Sequence, residues 1–387
     1  MKRKVNYCVL LFCCAFLAGC AIFPTGGHRG EVSVVQVTDA GDLAITGDRN
    51  GRVILWNLES QTSERIARNA EPYSAAISAN GRYIFWQDRD GVTHLTDRDA
   101  GETATREIEH RVFGADISKD GRIVLADPYW SIWLLEDGEL EEIRRSDSLS
   151  YVSTGQILTI EWSRDGEYFL TSGRGSVLDA DELPAFEKEP GHVGFSNTAL
   201  WSARDLEPAY VWTGNVAKMH ATISKGGAYL LSGCENAHGF VLDGPTGEKI
   251  RRLGSLRFGI RTNPDGGVGE GEWDDSDLID APEGFHEERS RDDILAMRFI
   301  TEEHFLRINT HKPWVILYHV DDPLPKKYFP LGESPFPAVS EYRRHEASAA
   351  APEGNVFVIG RHRGRGILVY EFDEEAMTFE QVWTPRR

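Results

Sequence analysis

Apolar and polar residues alternate in short runs along most of this chain, and glycine-bearing turns separate the runs. Val32, Val34 or Val35, and Val37 form one run, which ends in a turn closed by Gly41. Leu43 to Thr46 forms a second run, closed by Gly51, and Val53-Ile54-Leu55-Trp56 forms a third, ending on Asn57. A period of two predicts β-strands. The same turn, between two such runs, recurs at Gly81, Gly121, Gly166, Gly227 and Gly354. Ser-Ala-Asn80-Gly81-Arg, Ser-Lys-Asp120-Gly121-Arg and Ser-Arg-Asp165-Gly166-Glu are near-copies, and Asn-Gly or Asp-Gly favours a tight hairpin. A further unit lacks the glycine and reads Leu295 to Ile300, Phe305 to Ile308, and Trp314 to Val320. Seven units result.

The stretch Gly27 to Asn57 carries Gly27-His28 before its first strand, two tight turns, and Trp56 near the end of its third strand. In that order of features it resembles a WD-repeat. The resemblance implies an all-β fold: a seven-bladed, WD40-like β-propeller over residues 31–387, with four antiparallel strands per blade. Strand composition suits that architecture. First strands are small (Ser74-Ala75-Ala76-Ile77, Phe113-Gly114-Ala115-Asp116, Ser348-Ala349-Ala350-Ala351), as crowding around a central channel requires. Third strands are bulky: Ile132 to Leu135, Ala199 to Trp201, Phe240 to Leu242, Trp314 to Leu317 and Ile367 to Tyr370. Trp56, Trp133 and Trp201 are read as packing residues. His28, His110 and His220 stand where the family's structural histidine belongs. Arg49-Asn50 replace acidic residues in the turn before Trp56, so the family's tetrad of His, Ser or Thr, Asp and Trp is not expected to be complete in any blade.

Each unit averages roughly 51 residues, above the roughly 40–45 of such repeats. The excess falls at Ser146 to Gln156, Arg174 to Asn197, Arg261 to Asp293 and Ser334 to Arg344. Strands of a blade run up and down in turn, so loops joining second to third strands share a face with loops joining one blade to the next. All four long stretches belong to these two kinds, which makes that face the expected binding face.

The amino terminus has a different character. Lys2-Arg3-Lys4 precedes the apolar stretch Tyr7 to Ala18, and Leu17-Ala18-Gly19-Cys20 closes it. This resembles a bacterial lipoprotein signal, with residues 1–19 removed, Cys20 lipidated and residues 20–30 a tether. Acyl chains at about 0.8 kcal/mol per buried methylene hold such a protein on a bilayer. Ala21 in place of Asp resembles the sorting pattern for the outer membrane, so the expected address is the cell envelope. Four of the 5 cysteines lie in this segment, leaving Cys234 alone and excluding a disulfide framework. The formal charge of −19 disfavours broad contact with nucleic acid.

No catalytic constellation emerges. His286-Glu287-Glu288 lacks the second histidine of a zinc helix, Gly266 to Gly271 is not a dinucleotide fingerprint, and Asp274 to Asp280 lacks the calcium-loop pattern. The first reading is therefore a non-enzymatic scaffold that binds proteins, in the manner of a lipoprotein propeller assisting envelope assembly, with no cofactor or metal. The alternative is a propeller enzyme, a metal-dependent hydrolase or lactonase with its site at the channel mouth; Asp116 and His220 are the exceptions among small first-strand residues. Arg343, Arg344, Arg361, Arg363 and Arg365 form a basic arc in blade seven expected to touch an anionic surface, at about 1 kcal/mol per arginine. Changing Cys20 to Ser is expected to abolish lipidation and signal processing. Metabolic labelling with a palmitate analogue checks this, and a labelled Cys20→Ser protein would overturn it.

Overall fold

The computed structural model describes residues 27–387, apart from 128–130, 138, 145–155, 175–195, 215–218, 235–238, 254–259, 263–267, 271–293, 310–313, 323–324, 331–346, 362–365 and 386–387. Within them the strands form seven four-stranded antiparallel sheets, each built from four consecutive strands. Blade 1 comprises β1 (Val32–Val37), β2 (Leu43–Asp48), β3 (Val53–Asn57) and β4 (Thr62–Ala67). Blade 2 begins at β5 (Ala76–Ile77), blade 3 at β9 (Gly114–Ile117), blade 4 at β13 (Gln156–Trp162) and blade 5 at β17 (Met219–Ile223). Blade 6 runs from β23 (Ile294–Phe299) to β26 (Lys327–Pro330), and blade 7 from β27 (Ser348–Ala351) to β30 (Thr378–Trp383). The seven-bladed β-propeller read from the sequence is thus the fold. The four long stretches join blades or join second to third strands, so the strands that bracket them all end on one face.

The buried apolar side chains gather into seven layers among the described residues, one at each blade-to-blade interface. This follows from the pleat: alternate side chains of each blade meet the blade before and the blade after. Between blades 2 and 3, for example, Phe85 and Leu95 pack on Ile117, Ile123 and Trp133. The tryptophans assigned to packing, Trp56, Trp133 and Trp201, are all buried.

The repeated first turn has one chemistry. Gly41, Gly81, Gly121, Gly166 and Gly227 adopt positive φ, and each donates its N–H to the carbonyl three residues back, on Thr38, Ser78, Ser118, Ser163 and Ser224. The Ser hydroxyls accept from the start of the second strand, as in Tyr83 N to Ser78 Oγ at 2.9 Å and Tyr168 N to Ser163 Oγ at 2.9 Å. Only the glycine is left-handed, so this is not the two-residue turn that Asn-Gly suggested, which needs positive φ at both central residues. Blade 7 departs further: Asn355 takes the positive φ of 51°, and Gly354 serves a different purpose. A Cβ on Gly354 would lie 2.1 Å from the carbonyl oxygen of Ala40 in blade 1.

Turns after the third strand also share a device. Asn57, Asp97, Asp243 and Asp373 accept backbone N–H groups from Ser60, Asp99, Thr246 and Ala376. Asn57 therefore performs in blade 1 the capping task that Asp performs in blades 2, 5 and 7. Among the described residues one element lies outside the blades: Ile260–Thr262 pairs with Val268–Glu270 as a hairpin at the start of the long stretch between blades 5 and 6.

Gly354→Ala and Gly227→Ala separate contact from conformation. At Gly227, φ is +73° with open space around a Cβ, so Ala is expected to cost about 1–2 kcal/mol. At Gly354 the clash with Ala40 adds an overpacking cost of about 1–3 kcal/mol at the ring seam. Denaturant unfolding checks this, with the larger loss expected at Gly354.

Candidate functional site

Two polar assemblies are built into the propeller: a buried relay in blade 1, and the lining of the central channel. The relay begins at Trp56, whose Nε1 donates to Thr46 Oγ1 at 2.7 Å. With that hydrogen bond accepted, the hydroxyl can direct its own O–H to His28 Nε2 at 2.5 Å. That leaves the proton of His28 on Nδ1, 3.1 Å from Asp48 Oδ2. Asp48 also accepts from the backbone N–H groups of Arg29, Gly30, Asn50 and Arg52. Burial alone would raise the Asp48 carboxyl, but the His28 bond and these amides outweigh it and hold it at about 2. All four residues are almost wholly buried. The tetrad is thus complete in blade 1, contrary to the sequence reading; its acid is Asp48, one residue before Arg49-Asn50.

Other blades keep fragments of it. Trp201 donates to Thr171 at 2.8 Å in blade 4. In blade 2 Asp88 holds its turn and bonds His94, which stacks on Trp86 at 4.6 Å. His110 stacks on Trp133 at 4.3 Å, and His220 sits buried in β17 opposite Gly233.

The channel holds a cavity of about 160 Å³ lined by the first strands of all seven blades and by turns that follow them. Two residues before the first turn residue of each blade, the seven equivalent positions are Gln36, Ala76, Asp116, Glu161, Thr222, Arg298 and Ala350. The sequence singled out only Asp116 here; Gln36, Glu161 and Arg298 are equally placed. A first strand is hydrogen-bonded on one side only, and its other edge faces the channel with groups that need partners. Long side chains at this position supply them from the blade before. Gln36 Oε1 accepts from Ile77 N at 2.8 Å, Asp116 Oδ2 from Trp162 N at 2.7 Å, and Glu161 from the backbone of Ile223 and from Thr222 Oγ1 at 3.1 Å. Arg298 Nε donates to Ser348 O at 3.0 Å. Burial pushes the Asp116 carboxyl up to about 8 against the Trp162 bond, with Glu161 adding repulsion. Burial also raises Glu161, opposed chiefly by Arg298.

At the mouth, Arg164 of blade 4 reaches across to Asp39 of blade 1 at 2.7 Å and Glu353 of blade 7 at 3.2 Å, and Lys225 of blade 5 joins Glu353. Burial raises Asp39 to about 6 despite Arg164. These ion pairs strap the channel shut at the first-turn face. Among the described residues no three His, Cys, Asp or Glu side chains are grouped to hold a metal.

Of the residues expected to form sites, Cys20, Arg343, Arg344, Arg363 and Arg365 lie outside the described residues. Arg361 follows β28 (Val356–Gly360), and its carbonyl accepts from Val32 N of blade 1 at 3.4 Å.

The fold defines the class, a seven-bladed β-propeller, and the relay in blade 1 is similar to that of WD-repeats. Residues 20–57 match the family "WD domain, G-beta repeat". Serine-threonine kinase receptor-associated protein of Homo sapiens is 24% identical over 142 residues, 34% of this chain, and that of Gallus gallus is 23% identical over the same share. The matched region spans 39% of the length of these relatives. Among solved structures, the β-propeller domain of Myceliophteria thermophila Cps50 (Swd1) aligns with a TM-score of 0.56 and 13% identity, over 88% of this chain and 96% of that one. A chain of a mitotic checkpoint complex aligns with a TM-score of 0.59 and 10% identity, over 99% and 97%. The fold fits a protein-interaction scaffold.

Asp116 yields a pH test. Its folded value is raised, so its contribution is fullest below the unfolded value near 4 and is lost as pH rises through about 8. Asp116→Asn keeps an oxygen for Trp162 N. It is expected to be more stable than wild type by about 1–3 kcal/mol at pH 9, with the advantage vanishing near pH 4. Unfolding curves at the two pH values check this, and an equal offset at both would refute it.

Proposed function

We propose that this chain is a lipid-anchored propeller of the bacterial cell envelope, held at the outer membrane through Cys20, that binds protein partners without catalysis. The observation that carries the non-catalytic part is the occupation of the channel's polar side chains: Gln36, Asp116, Glu161 and Arg298 each bond the innermost strand of the next blade. A site for hydrolysis needs such groups turned toward a substrate instead. The anchor rests on the Leu17 to Cys20 box and the apolar stretch before it. By their names, the checkpoint chain belongs to a complex and the curated relatives are receptor-associated proteins, and use of this fold as a platform has that precedent.

The partner-binding face is the one that carries the long connections 145–155, 175–195, 254–293 and 331–346. Replacing 175–195 with a short Gly-Ser linker is expected to abolish recovery of a cross-linked envelope partner, whereas Lys119→Glu on the opposite face leaves it. Affinity purification of the lipoprotein after cross-linking in intact cells reads this out. The reverse pattern would move the site to the first-turn face. Metal-dependent lactone hydrolysis lost in Asp116→Asn would establish the enzyme instead.

A further inference from the structure

Blade 1 carries a cluster of arginines on the face that receives the long connections. Arg29 precedes β1, Arg52 lies in the turn between β2 and β3, and Arg65 and Arg68 lie in and just after β4. The pairing of Val53 with Ala67 brings Arg52 and Arg68 to neighbouring ends of their strands. The group is close enough to be self-repelling: after burial, the charges of Arg29, Arg65 and Arg68 lower the basicity of Arg52, against Asp48. Arg29 and Arg68 are exposed and Arg65 is partly so.

Three of the acids nearby have other partners. Asp48 is taken by His28, Glu31 by Arg49, and Glu71 by Arg111. Among the described residues, Arg29, Arg65 and Arg68 have no carboxylate at ion-pair distance. In a chain of formal charge −19, a group of cations at one spot makes a local positive field that attracts an external anion.

The same spot is where the amino-terminal segment enters. Arg52 Nη1 donates to the carbonyl of Gly27 at 2.7 Å. Gly27 is seven Cα steps from Cys20, a reach of at most about 23–25 Å when extended. We propose that this arginine cluster docks on the anionic head groups of the bilayer in which the Cys20 lipid sits, fixing which rim of the propeller faces the membrane. The proposal rests on the lipoprotein reading for its geometry. Arg361, bonded to Val32 through its carbonyl, extends the same rim into blade 7. An anionic surface would repel the rest of this acidic body, so attraction at one rim sets orientation as well as affinity.

The test uses the protein from residue 20 onward with Cys20→Ser, which contains every strand of the seven blades and carries no lipid. Its binding is measured to vesicles of phosphatidylglycerol with phosphatidylethanolamine, and to vesicles of phosphatidylcholine alone. At low salt, binding is expected only to the anionic vesicles, weakened about tenfold or more by Arg65→Glu with Arg68→Glu, and lost at high salt. Lys119→Glu, on the opposite face, is the charge-matched control and is expected to change it far less. Equal binding to both vesicle types overturns the proposal, as does insensitivity to the Arg65 and Arg68 changes. Tighter binding of single-stranded DNA than of anionic vesicles at the same salt would assign the cluster to nucleic acid, and would equally overturn it. Circular dichroism confirms that the variants remain folded. Because no lipid is attached here, failure in this assay leaves lipidation at Cys20 standing, while absence of palmitate labelling leaves vesicle binding standing.

Discussion

Closure of the ring is the constraint on which the rest of this molecule depends. Each blade is made of four consecutive strands, so blades 1 and 7 share no strand, and their union rests on packing and a few polar contacts. Val32, Val35, Ile54 and Trp56 meet Ala349, Val356, Val358 and Ile367 in one apolar layer, and Trp383 sets its ring edge-on to Trp56 at 5.7 Å. The backbones approach closely on both sides of that layer. A Cβ on Gly360 would stand 2.4 Å from Val32 Cγ1, and Glu353 and Gly354 both donate to Asp39 O at 3.1 Å. The Arg164 bridge to Asp39 and Glu353 then ties the two sides of the seam to a blade well round the ring. Partly exposed pairs of this kind contribute about 0–1 kcal/mol each, so the apolar layer carries most of the closure.

The complete relay in blade 1 belongs to the same requirement. Trp56 lies in the seam layer, and its indole is oriented by Thr46, which His28 and Asp48 hold in turn. The residue that must present a fixed edge to Trp383 is therefore the one with the full polar scaffold behind it. Blade 4, an interior blade, retains the Trp201 to Thr171 bond without the need to seal a junction between chain ends.

Much of this architecture was legible because it is local. Ser-x-Asp-Gly turns and alternating runs act over a few residues, and their spacing gave seven blades and the common face of the long connections. Asp48 is hidden by its position: Arg49-Asn50 stand next to the turn glycine, while the carboxylate that folds back onto its own turn amides sits one residue earlier. The channel latches were hidden for another reason. Gln36, Asp116, Glu161 and Arg298 are an amide, two carboxylates and a guanidinium, their backbone partners lie about forty to sixty residues away, and Glu161 is embedded in an apolar run. Only the common count back from each turn reveals them as one ring, and that count acquires meaning once the open edge of the first strands is seen. The Ile260–Thr262 hairpin is short and sits in a glycine-rich acidic stretch, so period-two patterning had too few residues to work on.

The two faces of the disc consequently differ in what they can vary. On the first-turn face neighbouring turns are tied: Asp39 N donates to Ala79 O, Asn80 to Lys119 O, Arg122 to Gly166 O, and Glu302 accepts from Ser224 and Gly226. An insertion there would break bonds that hold adjacent blades in register. On the other face the long connections leave and return at strand ends, where added length costs only slowly growing loop entropy. Variation for recognition therefore accumulates on that face, beside the arginines of blade 1 and the entry of the amino-terminal segment at Gly27. A partner bound by the long connections and a membrane met by the arginines would share one side of the disc, so the blades farther round the ring from blade 1 have the more open approach.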